Sequence, residues 1–191
     1  MDFLPIFLNV RAQPCLVVGG GDVAARKVEL LLKAQANITV IAPELCKALI
    51  ALHQTGKFNH VAETFRAEQI GSQRLVIAAT DNETVNSAVA DAASAKNIPV
   101  NVVDRPELCT FIMPAIIDRS PVIVAVSSGG ASPVLARLLR ARLESLVPAA
   151  YGRLATLVSS YRDKVKARFA PGADRRVFWE RVLQGAVAEL V

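Results

Sequence analysis

Short apolar runs alternate with helical stretches over the first 110 residues of the chain. Runs rich in β-branched residues predict strands at 15–18, 37–41, 58–61, 74–80 and 99–103. Helical periodicity predicts helices at 23–35, at 44–54 and from a cap at Asp81 or Asn82 to Lys96. The run at 74–80 is almost continuously apolar, which is typical of a central parallel strand buried on both faces. This alternation on short connections predicts an α/β fold with a doubly wound parallel sheet of Rossmann type.

The pattern changes after residue 110. Two extended apolar runs, 111–117 and 122–126, flank the polar residues 118–121, and together they predict a small β-hairpin. A helix follows from about Ser132 with Pro133 in its first turn, and two more helices are predicted at 149–169 and 174–190. We therefore divide the chain into a Rossmann domain at 1–110, a hairpin-and-helix region at 111–147 and a C-terminal helical region at 148–191.

The composition narrows the class of protein. Hydrophobic residues make up 52% of the 191 residues, which is enough for a packed core and argues against wholesale disorder. No apolar run approaches the roughly 20 residues of a membrane span, and the first residues lack the features of a signal peptide. Cys15, Cys46 and Cys109 are odd in number and widely spaced, and His53 and His60 lack ligand spacing. We expect reduced thiols, a cytoplasmic location, no membrane partner and no resident metal.

Positive charge is concentrated in the last third of the chain. Residues 1–110 carry 10 basic and 11 acidic side chains, whereas residues 111–191 carry 12 and 6. The basic part can attract nucleic acid, an acidic small molecule or an acidic partner, or it can consist of ordinary solvated helix faces. Aromatic residues are few and are not interleaved with the basic ones, so we expect no nucleic-acid partner.

A glycine-rich turn follows the first predicted strand. Gly19, Gly21 and Ala24 occupy the three defining positions of the G-x-G-x-x-G/A fingerprint. The first glycine permits the tight turn, the second permits backbone to approach a pyrophosphate, and the small third residue permits helix–strand packing. Since the turn lies between a strand and a helix, the sequence predicts a dinucleotide at the helix N-terminus.

The fingerprint lacks one expected residue. No acidic side chain ends the second strand, and Glu44, just after Pro43, is the nearest carboxylate. Because no arginine follows to bind a 2′-phosphate, we favour NAD over NADP as the cofactor. Thr80 and Asp104 close the fourth and fifth predicted strands, whose carboxyl ends line the ligand crevice in such folds. Asp104 is therefore a candidate base beside the nicotinamide, although a turn-capping role explains its position equally well.

Several longer motifs lie along the chain. They are GGGDVA at 19–24, AATD at 78–81, NVVD at 101–104, FIMPA at 111–115 and SSGGASP at 127–133, between an opening LPIF and a closing RRVFW at 175–179. In this combination the chain resembles the precorrin-2 dehydrogenase/sirohydrochlorin ferrochelatase family, which forms the N-terminal module of siroheme synthases. The resemblance covers nearly the whole chain.

The resemblance implies two activities and a set of site residues. It implies oxidation of precorrin-2 to sirohydrochlorin with reduction of NAD, and insertion of Fe²⁺, as a substrate, to give siroheme. Asp104 is implied in both reactions, as a base or as a group that guides the iron transiently. The implied NAD contacts are Asp22, Val23, Pro43 and Glu44, in addition to Gly19, Gly21 and Thr80.

The resemblance also implies how substrate and partners are bound. It places Ser128 beside the tetrapyrrole and makes the hairpin and helices the site of homodimerisation. The tetrapyrroles of this pathway carry many carboxylates, so the basic C-terminal third has an acidic substrate to bind. We expect Arg119 and Arg137 to contact it. In the family's fused enzymes a uroporphyrinogen methyltransferase module follows, and this chain is either a natural stand-alone form or part of such an enzyme. Because it ends within a predicted helix, we favour the second, with the methyltransferase module as a fused part or a partner.

Two other functions remain open from the residues alone. One is a different Rossmann dehydrogenase that acts on another acidic metabolite. The other is a non-catalytic NAD-sensing module with a basic tail for nucleic acid. A catalytic enzyme needs a titratable group beside the nicotinamide, for which Asp104 is the candidate, whereas a sensor does not.

Overall fold

The computed structural model describes residues 2–169 and 172–185. Its backbone contacts divide the chain into two units, Met1–Met113 and Pro114–Val191. The division into three functional regions stays a prediction, and the last part of the predicted helix at 174–190 lies outside the described residues.

The first unit contains a five-stranded parallel sheet in the order β3-β2-β1-β4-β5. This is the doubly wound arrangement that the sequence predicts, with the reversal of strand order between β1 and β4. The strands are β1 (Pro14–Val18), β2 (Asn37–Ile41), β3 (Asn59–Val61), β4 (Leu75–Ala78) and β5 (Val100–Val102). The helices are α1 (Asp22–Lys33), α2 (Lys47–Gln54) and α3 (Glu83–Ala95).

Apolar side chains are buried on both faces of this sheet. On β1, Val17 packs into one core cluster with α1, whereas Leu16 packs into a second cluster with α3. All four residues of β4 are buried, as the continuous apolar run predicts. Complete burial of one such side chain contributes about 1.5–3 kcal/mol, so these two clusters hold the strand ends that build the site.

The structure corrects the predicted start of the second helix. The sequence pattern places it at residue 44, but α2 begins at Lys47. The backbone amide of Cys46 instead donates to the carbonyl oxygen of Gly20 at 2.7 Å. Residues 44–46 therefore cover the glycine turn, and this tertiary contact outweighs their local helical pattern.

The predicted strand at 111–117 is also shifted. Thr110 and Phe111 hydrogen-bond back to β5, since Thr110 N donates to Val100 O and Asn101 Nδ2 donates to Phe111 O. The hairpin strand begins only at Ala115. The first residues of the apolar run thus belong to the first unit.

The second unit contains the predicted hairpin and three helices. The strands β6 (Ala115–Arg119) and β7 (Val122–Val126) pair antiparallel and are followed by α4 (Pro133–Leu146), α5 (Ala150–Arg168) and α6 (Ala173–Gln184). Ser132 caps α4 by accepting a hydrogen bond from Leu135 N at 3.2 Å. Gly152 lies on α5 where a Cβ atom would come within 2.3 Å of the Arg119 carbonyl oxygen. Among the described residues, no helix is both long enough and apolar enough to cross a membrane.

Candidate functional site

The glycine turn after β1 is packed on both sides. A Cβ atom on Gly19 would lie 2.2 Å from the Ala79 carbonyl oxygen, and one on Gly20 would lie 1.8 Å from the Glu44 carbonyl oxygen. Gly19 also has a φ of +128°, which L side chains rarely adopt. Both positions therefore require glycine for packing. The fingerprint indicates this for Gly19 but not for Gly20, which occupies a variable position in the motif.

Gly21 faces open space instead. No atom lies within 4 Å of a Cβ built on it, and it precedes α1 without a side-chain cap. Since the first amides of a helix lack intrahelical acceptors and lie at its positive dipole end, this N-terminus suits a phosphate group. Asp22 and Val23 form the first turn of α1, next to this open space.

The segment after β2 lies against the same turn. Pro43 and Glu44 are exposed, and the carbonyl of Glu44 forms one side of the turn at Gly20. His60 fixes the start of this segment, because its Nε2 donates to the Ala42 carbonyl oxygen at 2.9 Å. The structure thus brings the Glu44 carbonyl beside the glycine turn.

A cavity of about 310 Å³ opens at the carboxyl ends of β4 and β5. Val23, Thr80 and Asp104, which the sequence analysis names as candidate site residues, line it. Its lining residues are Val23, Ala79, Thr80, Asp81, Glu83, Asn86, Val103, Asp104 and Arg105. In doubly wound folds ligands bind at this edge, so the cavity is the candidate site.

Thr80 is held in place by Asn86, which the sequence analysis did not identify. Asn86 Oδ1 accepts from Thr80 N at 3.4 Å and from Thr80 Oγ1 at 2.9 Å, and Asn86 Nδ2 donates to Thr80 O at 2.9 Å. Only 4% of Asn86 is exposed. It shares a helical face with Val89, Ala90 and Ala93, and a lone amide on this apolar stripe was the available signal.

Asp104 occupies the cavity edge in an unusual backbone conformation. Its φ is +59°, in the left-handed region, and its side chain is exposed. Such a conformation costs about 1–2 kcal/mol for most L residues, although aspartate tolerates it better than most. Next to it, Arg105 is paired with Glu83 at 3.3 Å and with Glu107. The neighbouring guanidinium is therefore engaged with other carboxylates.

A half-buried lysine on α1 adds a cation near Asp104. Burial, together with the nearby Arg26, lowers the pKa of Lys27, whereas the charges of Asp104 and Cys109 oppose this shift. Burial also raises the pKa of the Cys109 thiol, which accepts a hydrogen bond from Val102 N at 3.1 Å. The sequence pattern gave no indication of Lys27, because its place beside Asp104 depends on how α1 packs on the sheet.

The remaining predicted site residues lie in the second unit, and two of them have local partners. Ser128 Oγ donates to Ser132 O and accepts from Ser132 N, both at 2.9 Å, which closes the loop before α4. Arg119 donates to Val147 O at 3.0 Å and pairs with Glu144 at 3.3 Å.

Arg137 differs from these two. It is exposed on α4 and has no ion pair among the described residues.

The sheet order, the glycine turn and the cavity at the strand ends together define a dinucleotide-binding protein of Rossmann type. A family model described as "Putative NAD(P)-binding" matches residues 6–115. Two further models match the rest: "Sirohaem biosynthesis protein central" at 120–146 and "Sirohaem synthase dimerisation region" at 150–191. The chain belongs to the precorrin-2 dehydrogenase/sirohydrochlorin ferrochelatase family, that of the siroheme synthase N-terminal module.

Individual relatives agree with this assignment. The siroheme synthases of Nitrosospira multiformis and Nitrosomonas europaea are 58% and 57% identical to the chain over its whole length. The chain covers 41% and 40% of these proteins, so it spans about two fifths of their length. A solved structure, "SirC, precorrin-2 dehydrogenase", superposes with a TM-score of 0.78 at 22% identity, covering 99% of this chain and 93% of that one. At this identity the match shows a shared fold.

Proposed function

We propose that the chain catalyses the NAD-dependent oxidation of precorrin-2 to sirohydrochlorin. The observation that carries this proposal is the cavity that joins Val23, Thr80 and Asp104 at the strand ends, beside the glycine turn. The names of the relatives, siroheme synthase and precorrin-2 dehydrogenase, supply the substrate class.

The residues of the first unit fit NAD. The open space at Gly21 and the uncapped N-terminus of α1 suit its pyrophosphate, with Asp22 and Val23 beside it. Glu44 and Pro43, after β2, would hold the adenosine ribose, and Thr80, at the cavity, would hold the nicotinamide end. NAD would supply the hydride acceptor, and the protein would bind and orient it.

Asp104 is the proposed proton acceptor. Oxidation of precorrin-2 removes a hydride and a proton, and a carboxylate at the cavity edge can take the proton. Because Arg105 is paired with Glu83 and Glu107, the Asp104 carboxylate is not committed to that guanidinium. The positive charge of Lys27 lies near Asp104.

We further propose ferrochelation of sirohydrochlorin as a second activity, with Fe²⁺ as a substrate that Asp104 guides. Arg137, exposed and without an ion pair among the described residues, is the stronger candidate for binding substrate carboxylates. Arg119 already donates to the Val147 carbonyl oxygen and pairs with Glu144, so we propose that it stabilises the packing of the hairpin against α4. Ser128 remains a proposed pocket residue. Tetrapyrrole binding should weaken as salt concentration rises.

We propose that two copies of the chain associate. Residues 150–191 match a sirohaem synthase dimerisation region, and α4 exposes Leu135 and Leu138 at 49% and 55%. Apolar side chains at this exposure form a surface that a second copy can bury.

Fusion to, or partnership with, a uroporphyrinogen methyltransferase module would account for the remaining length of the relatives. A cytoplasmic location fits the three free thiols.

The test of the proposal is NADH formation on addition of precorrin-2 under anaerobic conditions. We expect Asp104→Ala to lose most of the rate, while Asp81→Ala, a matched carboxylate lining the same cavity, retains it. Absence of NADH from the parent protein, with NAD bound, would contradict the dehydrogenase and favour a sensing module. Iron-dependent absorbance change with sirohydrochlorin, without NAD, tests the chelatase independently.

A further inference from the structure

The turn after β4 continues the sheet through a side chain. The strand ends at Ala78, yet Thr80 is still paired at its backbone, because the Asn86 amide accepts from Thr80 N and donates to Thr80 O. The side-chain amide thus makes the same two hydrogen bonds to this residue, one accepted and one donated, that the backbone of a neighbouring strand would make. The turn also lies directly beside Gly19, whose Cβ would contact Ala79 O at 2.2 Å. Asn86 therefore fixes the backbone that borders the cofactor turn.

The hydrogen bonds of the Thr80 hydroxyl set its direction. Thr80 Oγ1 has one proton, and its possible acceptors are Asn86 Oδ1 at 2.9 Å and Asn82 O at 3.1 Å. Both acceptors belong to the protein. The same oxygen accepts from Asn82 N at 3.1 Å, and it keeps one further lone pair. Towards the cavity, Thr80 can therefore accept a hydrogen bond but has no proton to donate.

We propose that Asn86 is a positioning residue that makes Thr80 an acceptor and thereby selects a cofactor ring bearing a donating amide. The inference rests on the proposed binding of NAD at this cavity. The nicotinamide carboxamide offers an N–H donor. Nicotinic acid adenine dinucleotide carries a carboxylate in its place and can only accept. A hydroxyl whose proton is held by Asn86 favours the first ligand and leaves the second without a donor at this point.

The experiment compares the affinities of these two dinucleotides by calorimetric titration of the whole chain. The parent protein should bind NAD about tenfold more tightly than the acid analogue, as expected when one hydrogen bond is exchanged for an acceptor–acceptor contact. Asn86→Ala removes the nearer acceptor and leaves the Thr80 proton only the longer contact to Asn82 O, so a ligand can compete for that proton and the affinity ratio should fall towards one. Asn86→Asp keeps an acceptor for that proton, and its ratio should stay at or above the parent value.

Asn82→Ala is the matched control. It removes the side-chain cap of α3 but leaves both backbone groups of Asn82 that contact Thr80. It should lower stability by about 1 kcal/mol without changing the affinity ratio. The inference would be overturned if Asn86→Ala left the affinity ratio of the two dinucleotides unchanged. It would also be overturned if Asn86→Asp and Asn82→Ala lowered this ratio as much as Asn86→Ala does. A parent protein that binds neither dinucleotide would contradict the proposed function instead.

Discussion

Replacement of Gly21 by alanine should separate folding from cofactor binding. The backbone of Gly21 has φ −84° and ψ −176°, an extended conformation that alanine adopts freely. Nothing lies within 4 Å of the added Cβ atom, so the folded protein gains no clash. The methyl group instead enters the open space that we assign to the pyrophosphate.

The magnitude follows from small opposing effects on folding and a larger one on binding. Alanine restricts the unfolded chain, which stabilises by about 0.4–1 kcal/mol, whereas its poorer fit at an N-cap position costs about as much. The free energy of unfolding should therefore change by less than about 1 kcal/mol. Displacing the pyrophosphate from the helix amides should weaken NAD binding at least tenfold, or about 1.4 kcal/mol.

Gly19→Ala is the contrasting variant. Its Cβ atom would lie 2.2 Å from the Ala79 carbonyl oxygen and 2.7 Å from the carbonyl carbon, which are backbone atoms that cannot rotate away. The residue would also keep a φ of +128°. Strain and overpacking together should destabilise the first unit by about 2–6 kcal/mol.

The assay is thermal unfolding of each variant followed by NAD titration at a temperature where each is folded. Gly21→Ala should unfold like the parent protein and bind NAD weakly. A Gly21→Ala protein that binds NAD with parent affinity would refute the assignment of the open space to the pyrophosphate. A Gly19→Ala protein as stable as the parent would refute the packing argument.

Four further variants test other parts of the structure. Gly152→Ala should destabilise the second unit by about 1–3 kcal/mol in thermal unfolding, because its Cβ would press on Arg119 O at 2.3 Å. Lys27→Met should raise the melting temperature at neutral pH, and the gain should shrink as pH rises towards 10.5, where lysine loses its charge in both states and its burial cost disappears. Arg119→Met should lower stability by about 1–2 kcal/mol with tetrapyrrole affinity retained, whereas Arg137→Ala should weaken that affinity with stability retained.

The strand and helix pattern could be predicted because each element carries its own signal. The continuous apolar run that forms β4 is buried along its whole length. Ser132 caps α4, as expected of a hydroxyl residue that directly precedes a proline in the first turn of a helix. The glycine turn was visible because strand, glycines and helix are adjacent in the sequence. Each of these features is encoded by residues that lie close together in the sequence.

The remaining site features depend on contacts between distant residues. Residues 44–46 have a helical pattern, and only the hydrogen bond from Cys46 N to Gly20 O shows that they cover the turn. Arg119 looks like a free cation in the sequence, but the fold brings it to Glu144 and Val147. Asn86 stands out in the pattern as a polar residue on an apolar face, although its partner Thr80 is known only from the structure.

The most direct test of the proposed reaction is its stoichiometry. Precorrin-2, NAD and the protein are mixed without oxygen, and NADH and sirohydrochlorin are quantified in the same sample. The proposed site predicts equimolar amounts of the two products, and loss of both in Gly21→Ala at an NAD concentration that saturates the parent protein. Sirohydrochlorin formed at the parent rate without NAD, or without NADH, would contradict it.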